Sequence, residues 1–180
     1  MVLVEGASDQ SALETLAYRR NRDLSREGIA IVSMGGATKI GQFLDALGPA
    51  GLGLRLAGLC DVGEVGAFAR ALERAGMVVD VSQSGLEHLD FFVCVADLED
   101  ELIRALGTDV VEHVLEQQDE HAAFRTFQNQ PAWRGRPRSE QLRRFMGTLS
   151  GRKVRYGALL VEALDLAKTP RPLDLVLASV

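Results

Sequence analysis

The feature that most constrains this chain is an alternation. Through the first 107 residues, short apolar runs rich in β-branched side chains are separated by longer stretches of helical periodicity. That pattern predicts a parallel sheet whose strands are joined by crossover helices. Strands are expected at Val2 to Val4, Ile29 to Ser33, Leu54 to Cys60 and Phe91 to Ala96, with a short apolar segment at Val78-Val79. A helix is expected from Ser8, its N-cap, burying Ala12, Leu13, Leu16 and Ala17. Others should run through Ile40, Phe43, Leu44 and Leu47 to a stop at Gly48-Pro49, over about Val65 to Ala75, and over Leu98 to Leu106. After Gly107 the period is helical throughout, with Gln128 to Ser139 expected as a mobile loop between helices. The fold class is therefore expected to be α/β, with residues 1–107 forming a core of about four mainly parallel strands flanked by helices. Residues 108–180 form a helical extension packed on it, and include a basic segment at 125–155.

Composition narrows the class further. Of 180 residues, 47% are apolar, enough for one buried core, and this excludes disorder as the main state. The longest apolar runs, such as Phe91 to Ala96, are far too short to span a membrane, and Met1-Val2-Leu3-Val4 leads straight into Glu5, so neither an anchor nor a signal peptide is expected. Cys60 and Cys94 each lie in an apolar run, which suits reduced core thiols and a cytoplasmic location. His88, His113 and His121 lack ligand spacing. The net charge of −5 hides an asymmetry: Arg125 to Arg155 holds nine basic residues and one acid, Glu140, leaving an acidic remainder. Such a division suits metal ions on one part and an anionic polymer on the other, or simply a solvated helix face.

In a parallel α/β sheet the ligand site lies beyond the carboxyl ends of the strands. Glu5 ends the first strand, with Asp9 four residues on. Asp61 ends the third, ahead of Gly63 and Glu64. Asp97 follows the fourth, ahead of Glu99, Asp100 and Glu101. Converging carboxylates repel one another unless cations or protons neutralise them, and oxygen donors without His or Cys suit Mg²⁺ or Mn²⁺. Each acid also has a structural alternative: Asp97 and Asp61 could be N-caps, and Glu99 could complement a helix dipole. Asp9 shares a helical face with Leu13 and should point at the sheet, while Glu5 has no helix to cap.

The stretch Val2-Leu3-Val4-Glu5-Gly6-Ala7-Ser8-Asp9, with Leu59-Cys60-Asp61, resembles the TOPRIM domain: an apolar strand, Glu-Gly, a nearby Asp, and a later Asp-x-Asp. The run Val95-Ala96-Asp97-Leu98-Glu99-Asp100-Glu101-Leu102 and the basic Gly151-Arg152-Lys153 resemble the TOPRIM half of the OLD (overcoming lysogenisation defect) nucleases. The resemblance implies a Rossmann-like TOPRIM sheet and a metal site for phosphodiester cleavage, binding one or two Mg²⁺ or Mn²⁺ ions. Its ligands would be Glu5, Asp9, Asp61, Asp97 and Glu99, with Glu64 as a further ligand. Lys153 would stand at the position of the catalytic lysine. Gly63 departs from the pattern, because it occupies the place of the second Asp of Asp-x-Asp.

The activity this implies is metal-dependent nicking or cleavage of nucleic acid, DNA in the first instance. Glu5 would activate water or orient the metal, Lys153 would stabilise developing charge, and Arg134, Arg136, Arg138, Arg143, Arg144, Arg152 and Arg155 would contact the polymer. The competing reading is a non-catalytic TOPRIM module that binds nucleic acid or a partner, with Gly63 having removed turnover. Trp133 could stack on a base or pack on its own helix. No Gly-x-x-x-x-Gly-Lys-Ser/Thr stretch occurs, so the chain is expected to be either a stand-alone TOPRIM domain or one that receives an ATPase from a separate polypeptide. With only Tyr18 and Tyr156 present, both in helical stretches, a topoisomerase reading is not favoured.

Overall fold

The computed structural model describes residues 1–77, 83–149 and 151–180. Four strands, β1 (Val2–Val4), β2 (Ile31–Ser33), β3 (Ala57–Asp61) and β4 (Phe91–Cys94), form one all-parallel sheet in the order β2-β1-β3-β4. The crossovers are α1 (Ala7–Arg19), α2 (Ile40–Leu47), α3 (Val65–Arg74) and α4 (Gln83–Glu87). They are followed by α5 (Leu98–Leu106), α6 (Thr108–Gln117), α7 (His121–Gln128), α8 (Arg138–Met146), α9 (Arg152–Ala163) and α10 (Arg171–Ala178). The expected α/β class and parallel sheet are borne out. The Val78-Val79 segment lies outside the described residues.

Alternation along the strands divides the core in two, since successive side chains of a strand point to opposite faces. Val2, Val4, Ala57, Leu59 and Phe92 point to one side, beneath α1, α5, α9 and α10. Leu3, Cys60, Phe91 and Val93 point to the other, beneath α2, α3 and α4. Both cysteines are buried and unpaired, and burial pushes the Cys60 thiol up to about 12, so it stays protonated and inert. The first apolar cluster runs without a break from Val2 to Leu177, because α9 lies along α1 and α10 closes over β3 and β4.

Several boundaries differ from the sequence expectation, for local reasons. Ser8 is not the N-cap of α1: it is buried in the first turn, and Gly6 caps in its place, its N–H donating to Asp9 Oδ2 at 2.8 Å. β4 stops at Cys94 because the Val95 N–H is taken by the Glu101 carboxylate at 2.8 Å, which turns Val95 outward. The ladder of β2 begins only at Ile31, since the Ile29 N–H is spent on the Leu24 carbonyl. The segment expected to be a mobile loop at 128–139 is instead pinned. Its turns are closed by Trp133 N–H to Gln130 O (2.9 Å) and Arg136 N–H to Trp133 O (3.1 Å), and Gln141 donates to the Trp133 carbonyl at 2.7 Å.

The α1–α9 contact depends on Gly157, where an added Cβ would lie 2.7 Å from the Ser8 carbonyl oxygen. Gly157→Ala should therefore push the two helices apart and cost about 1–3 kcal/mol, read in thermal melts as a fall in Tm on the order of 2–10 °C.

Candidate metal centre

The strand order places the site. β1 lies between β2 and β3, so the chain's crossovers diverge to either side at the β1–β3 junction, the place where a doubly wound sheet opens a crevice. Glu5 leaves β1 on one lip of that crevice, and Asp61 ends β3 on the other. Asp97, in the loop beyond β4, comes in beside them, as does Asp9 from the first turn of α1. Together with Lys153 of α9 these residues line one cleft of about 210 Å³.

Two of the acids serve the fold as well. Asp97 caps α5, accepting from Asp100 N–H at 2.9 Å through Oδ1, while Arg143 Nε donates to its Oδ2 at 2.7 Å. Asp9 accepts the Gly6 N–H described above. Asp61 is different: it precedes the 3₁₀ turn Val62–Glu64, yet its side chain caps nothing. Neither Glu5 nor Asp61 accepts a hydrogen bond or forms an ion pair among the described residues. These two carboxylates have no structural duty, and they flank the crevice.

Electrostatics records their crowding. Burial, then the charges of Glu5, Asp97 and Asp9, push the Asp61 carboxyl up to about 7. Burial, with Asp9, Glu64 and Asp97, also raises Glu5 against the opposing pull of Lys153. Asp9 is raised by burial, in part offset by the Gly6 N–H and by Lys153. Glu99 is buried, with neither oxygen accepting a hydrogen bond, and its Oε2 stands 3.0 Å from Lys153 Nζ. Burial lifts it to about 7 despite that ammonium. For Lys153, burial works against the charge, but Glu99, Asp9 and Asp97 outweigh it and hold the pKa above its ordinary value.

Lys153 is aimed by its neighbour. Arg152 turns inward at the start of α9, pairing with Glu120 at 2.9 Å, donating to the Phe145 carbonyl at 3.1 Å and lying 4.1 Å over the Phe145 ring. The next residue consequently faces the acids. The expectation that Arg152 contacts nucleic acid is corrected by this burial: at 8% exposure its guanidinium belongs to the interior. Three more of the predicted polymer contacts are engaged at home, Arg138 with Glu112 and Asp109, Arg155 with Glu120, and Arg143 with Asp97. Arg134, Arg136 and Arg144 remain exposed. Glu64 lies near enough to raise Glu5 but does not line the cleft. Sequence reasoning missed Glu101, whose hold on Val95 shapes the loop that carries Asp97; its burial was not legible in a run of four acids.

Among the described residues, no three His, Cys, Asp or Glu side chains converge tightly enough to cage an ion by themselves. The donor set nevertheless fits Mg²⁺ or Mn²⁺. Such ions keep most of their water and take one or two carboxylates plus substrate phosphate, and Glu5 and Asp61 are two such oxygen donors without an ion-pair partner among the described residues.

A parallel sheet with carboxylates at the ends of β1 and β3 and in the loop after β4, and a lysine brought in from a late helix, decides the likeness. The architecture resembles that of the C-terminal regions of OLD proteins. Residues 1–62 match the family described as overcoming lysogenization defect protein-like, TOPRIM domain. Over 98% of its length the chain superimposes on the C-terminal region of the Burkholderia pseudomallei OLD protein (TM-score 0.75, 20% identity, 94% of that chain covered). It matches the C-terminal region of the Xanthomonas campestris pv. campestris OLD protein similarly (TM-score 0.73, 23% identity, 98% of this chain and 91% of that one). No curated protein sequence matches. The TOPRIM resemblance read from the sequence is thus borne out, and the fold extends beyond the matched 62 residues.

The raised carboxyls set a pH dependence for the metal-free fold. Asp61 and Glu99 titrate near about 7 when folded, above their ordinary 3.8 and 4.5. A carboxyl raised in this way penalises folding fully above its folded value and is relieved as pH falls from about 7 towards about 4. The Tm of the metal-free chain should therefore rise between pH about 8 and about 6. Mg²⁺ should raise Tm more at the higher pH, where protons do not compete for its ligands; differential scanning fluorimetry reads both.

Proposed function

We propose that this chain is a metal-dependent phosphodiesterase acting on nucleic acid, DNA in the first instance, through the cleft at the β1–β3 junction. The observation that carries the reading is the pair Glu5 and Asp61, two mutually repelling carboxylates without a structural task at the switch point of the sheet. OLD-like TOPRIM domains, which residues 1–62 match, are tied to metal-dependent nuclease work, and this supports the same reading.

Glu5, Asp61, Asp97 and Asp9 would hold one or two Mg²⁺ or Mn²⁺ ions, with Glu99 and Glu64 shaping the field around them. Bound metal would neutralise the phosphate and lower the pKa of a coordinated water. Glu5, which like Asp61 has no partner among the described residues, would orient the attacking water and take its proton. Lys153 offers a positive charge, held by Glu99, to the phosphate oxygens as negative charge develops. Arg134, Arg136 and Arg144 supply sequence-independent attraction for the polymer.

The non-catalytic module remains a distinct reading because of Gly63, which follows β3 where an Asp-x-Asp would place a second acid. An added Cβ there meets nothing within 4 Å, so the space for that acid is kept. Purified protein should nick supercoiled plasmid in Mg²⁺ or Mn²⁺, and Glu5→Gln or Asp61→Asn should slow nicking by about 10²–10⁴-fold without loss of the melting transition. Lys153→Ala should cost on the order of 10²–10³-fold. Plasmid binding without nicking by the parent chain, joined by nicking in Gly63→Asp, would establish the module instead.

A further inference from the structure

Beside the metal cleft lies a second and larger cavity of about 520 Å³, and the two share Asp97 and Lys153 as walls. Its volume falls within the ~300–1,000 Å³ of small-molecule sites. Its far wall is Trp133, with Glu140 and Arg144 of α8 alongside. The indole is half-buried, and it stacks on Phe127 with ring centroids 5.2 Å apart and planes 25° from parallel. Phe127 is in turn 5.6 Å from Phe145, so the indole rests on a column of rings that reaches the core. Hydrogen bonds from Gln141 and within the turn hold its backbone on both sides.

The charges around this platform are nearly all spoken for. Arg143 is bound to Asp97, Lys153 to Glu99, and Glu140 lies 3.8 Å from Arg136. Arg144 is the guanidinium of the wall that forms no ion pair among the described residues, and it is exposed. The cavity is therefore neither a basic groove nor an apolar pocket. It offers one rigid aromatic plane, one uncommitted guanidinium and the carboxylate of Glu140, next to the place where a phosphate is to be cleaved.

We propose that this cavity receives one unpaired nucleotide of the substrate strand, its base on Trp133 and its phosphate on Arg144, adjacent to the phosphodiester in the metal cleft. The inference rests on the nuclease reading and adds a substrate class to it. Every base has a π face, so stacking is indifferent to sequence. A base inside a duplex has both faces covered by its neighbours, however, and cannot lie on an indole without leaving the stack. The substrate is therefore single-stranded, or carries a flap, gap, frayed end or a stretch opened by negative supercoiling at the cleavage point.

Trp133 is the one tryptophan of the chain, so its fluorescence reports this cavity alone. A single-stranded oligothymidylate titrated into the metal-free protein should quench it saturably, whereas a fully paired duplex of equal length should leave it unchanged. Trp133→Ala should weaken binding of the labelled single strand, followed by anisotropy, by about 5- to 150-fold. Trp133→Phe, which keeps a ring on Phe127, should recover most of that loss, so a folding defect in the alanine variant is told apart. Unchanged fluorescence on single-strand binding, equal quenching by duplex, or wild-type affinity in Trp133→Ala each overturns the proposal. Quenching without hydrolysis in Mg²⁺ would uphold the nucleotide cavity while removing the nuclease reading, and hydrolysis without quenching would do the reverse.

Discussion

The structure turns on a repulsion. Asp9, Asp61, Asp97 and Glu5 are carried to one end of the sheet by three strands and a helix, and Glu5, Asp9 and Asp97 each raise the charging cost of at least one of the others. Like charges so close, partly out of water, are tolerated only where rigid elements hold them and something positive repays them. The chain itself supplies two cations, Lys153 against Glu99 and Arg143 against Asp97. Both are spent on acids at the rim of the crevice, and the pair at its centre, Glu5 and Asp61, is left to whatever ion or proton arrives.

That arrangement also explains the use made of the basic segment. An Arg-rich stretch read as a solvated or polymer-binding face does much internal work: Arg138, Arg152 and Arg155 hold the late helices through Glu112 and Glu120, and Arg143 steadies Asp97. Arg152 and Lys153 show the economy of the device. One residue anchors the start of α9 in the interior, and the next is thereby aimed at the acids. The positive field left for a polymer is smaller than the count of arginines suggests, and it is concentrated around Arg134, Arg136 and Arg144.

The parallel sheet was legible because its strands are apolar on both faces, which leaves an unmistakable alternation with helical stretches. The acids at the strand ends were legible for the same reason: a charge that closes a buried strand has few places to go. What one-dimensional reading could not resolve was competition for single hydrogen-bonding groups. The Glu101 side chain takes the Val95 N–H and ends β4 early, Asp9 lets Gly6 cap α1 in place of Ser8, and the Gln141 contact to Trp133 fixes a stretch whose Pro and Gly content reads as slack. Nor could it separate Asp97, a working N-cap, from Asp61, which sits in an equivalent position and caps nothing. Only the packed helices show that Arg152 faces inward.

The close approach of Gly157 to Ser8 joins the first helix of the chain to the penultimate one. Because Glu5 and Lys153 sit beside that seam, the centre cannot exist in any fragment that lacks either β1 or α9. A chain emerging from the ribosome would carry its acids apart and unopposed until α9 docks, so competence arrives late and all at once, with the closing of the fold itself.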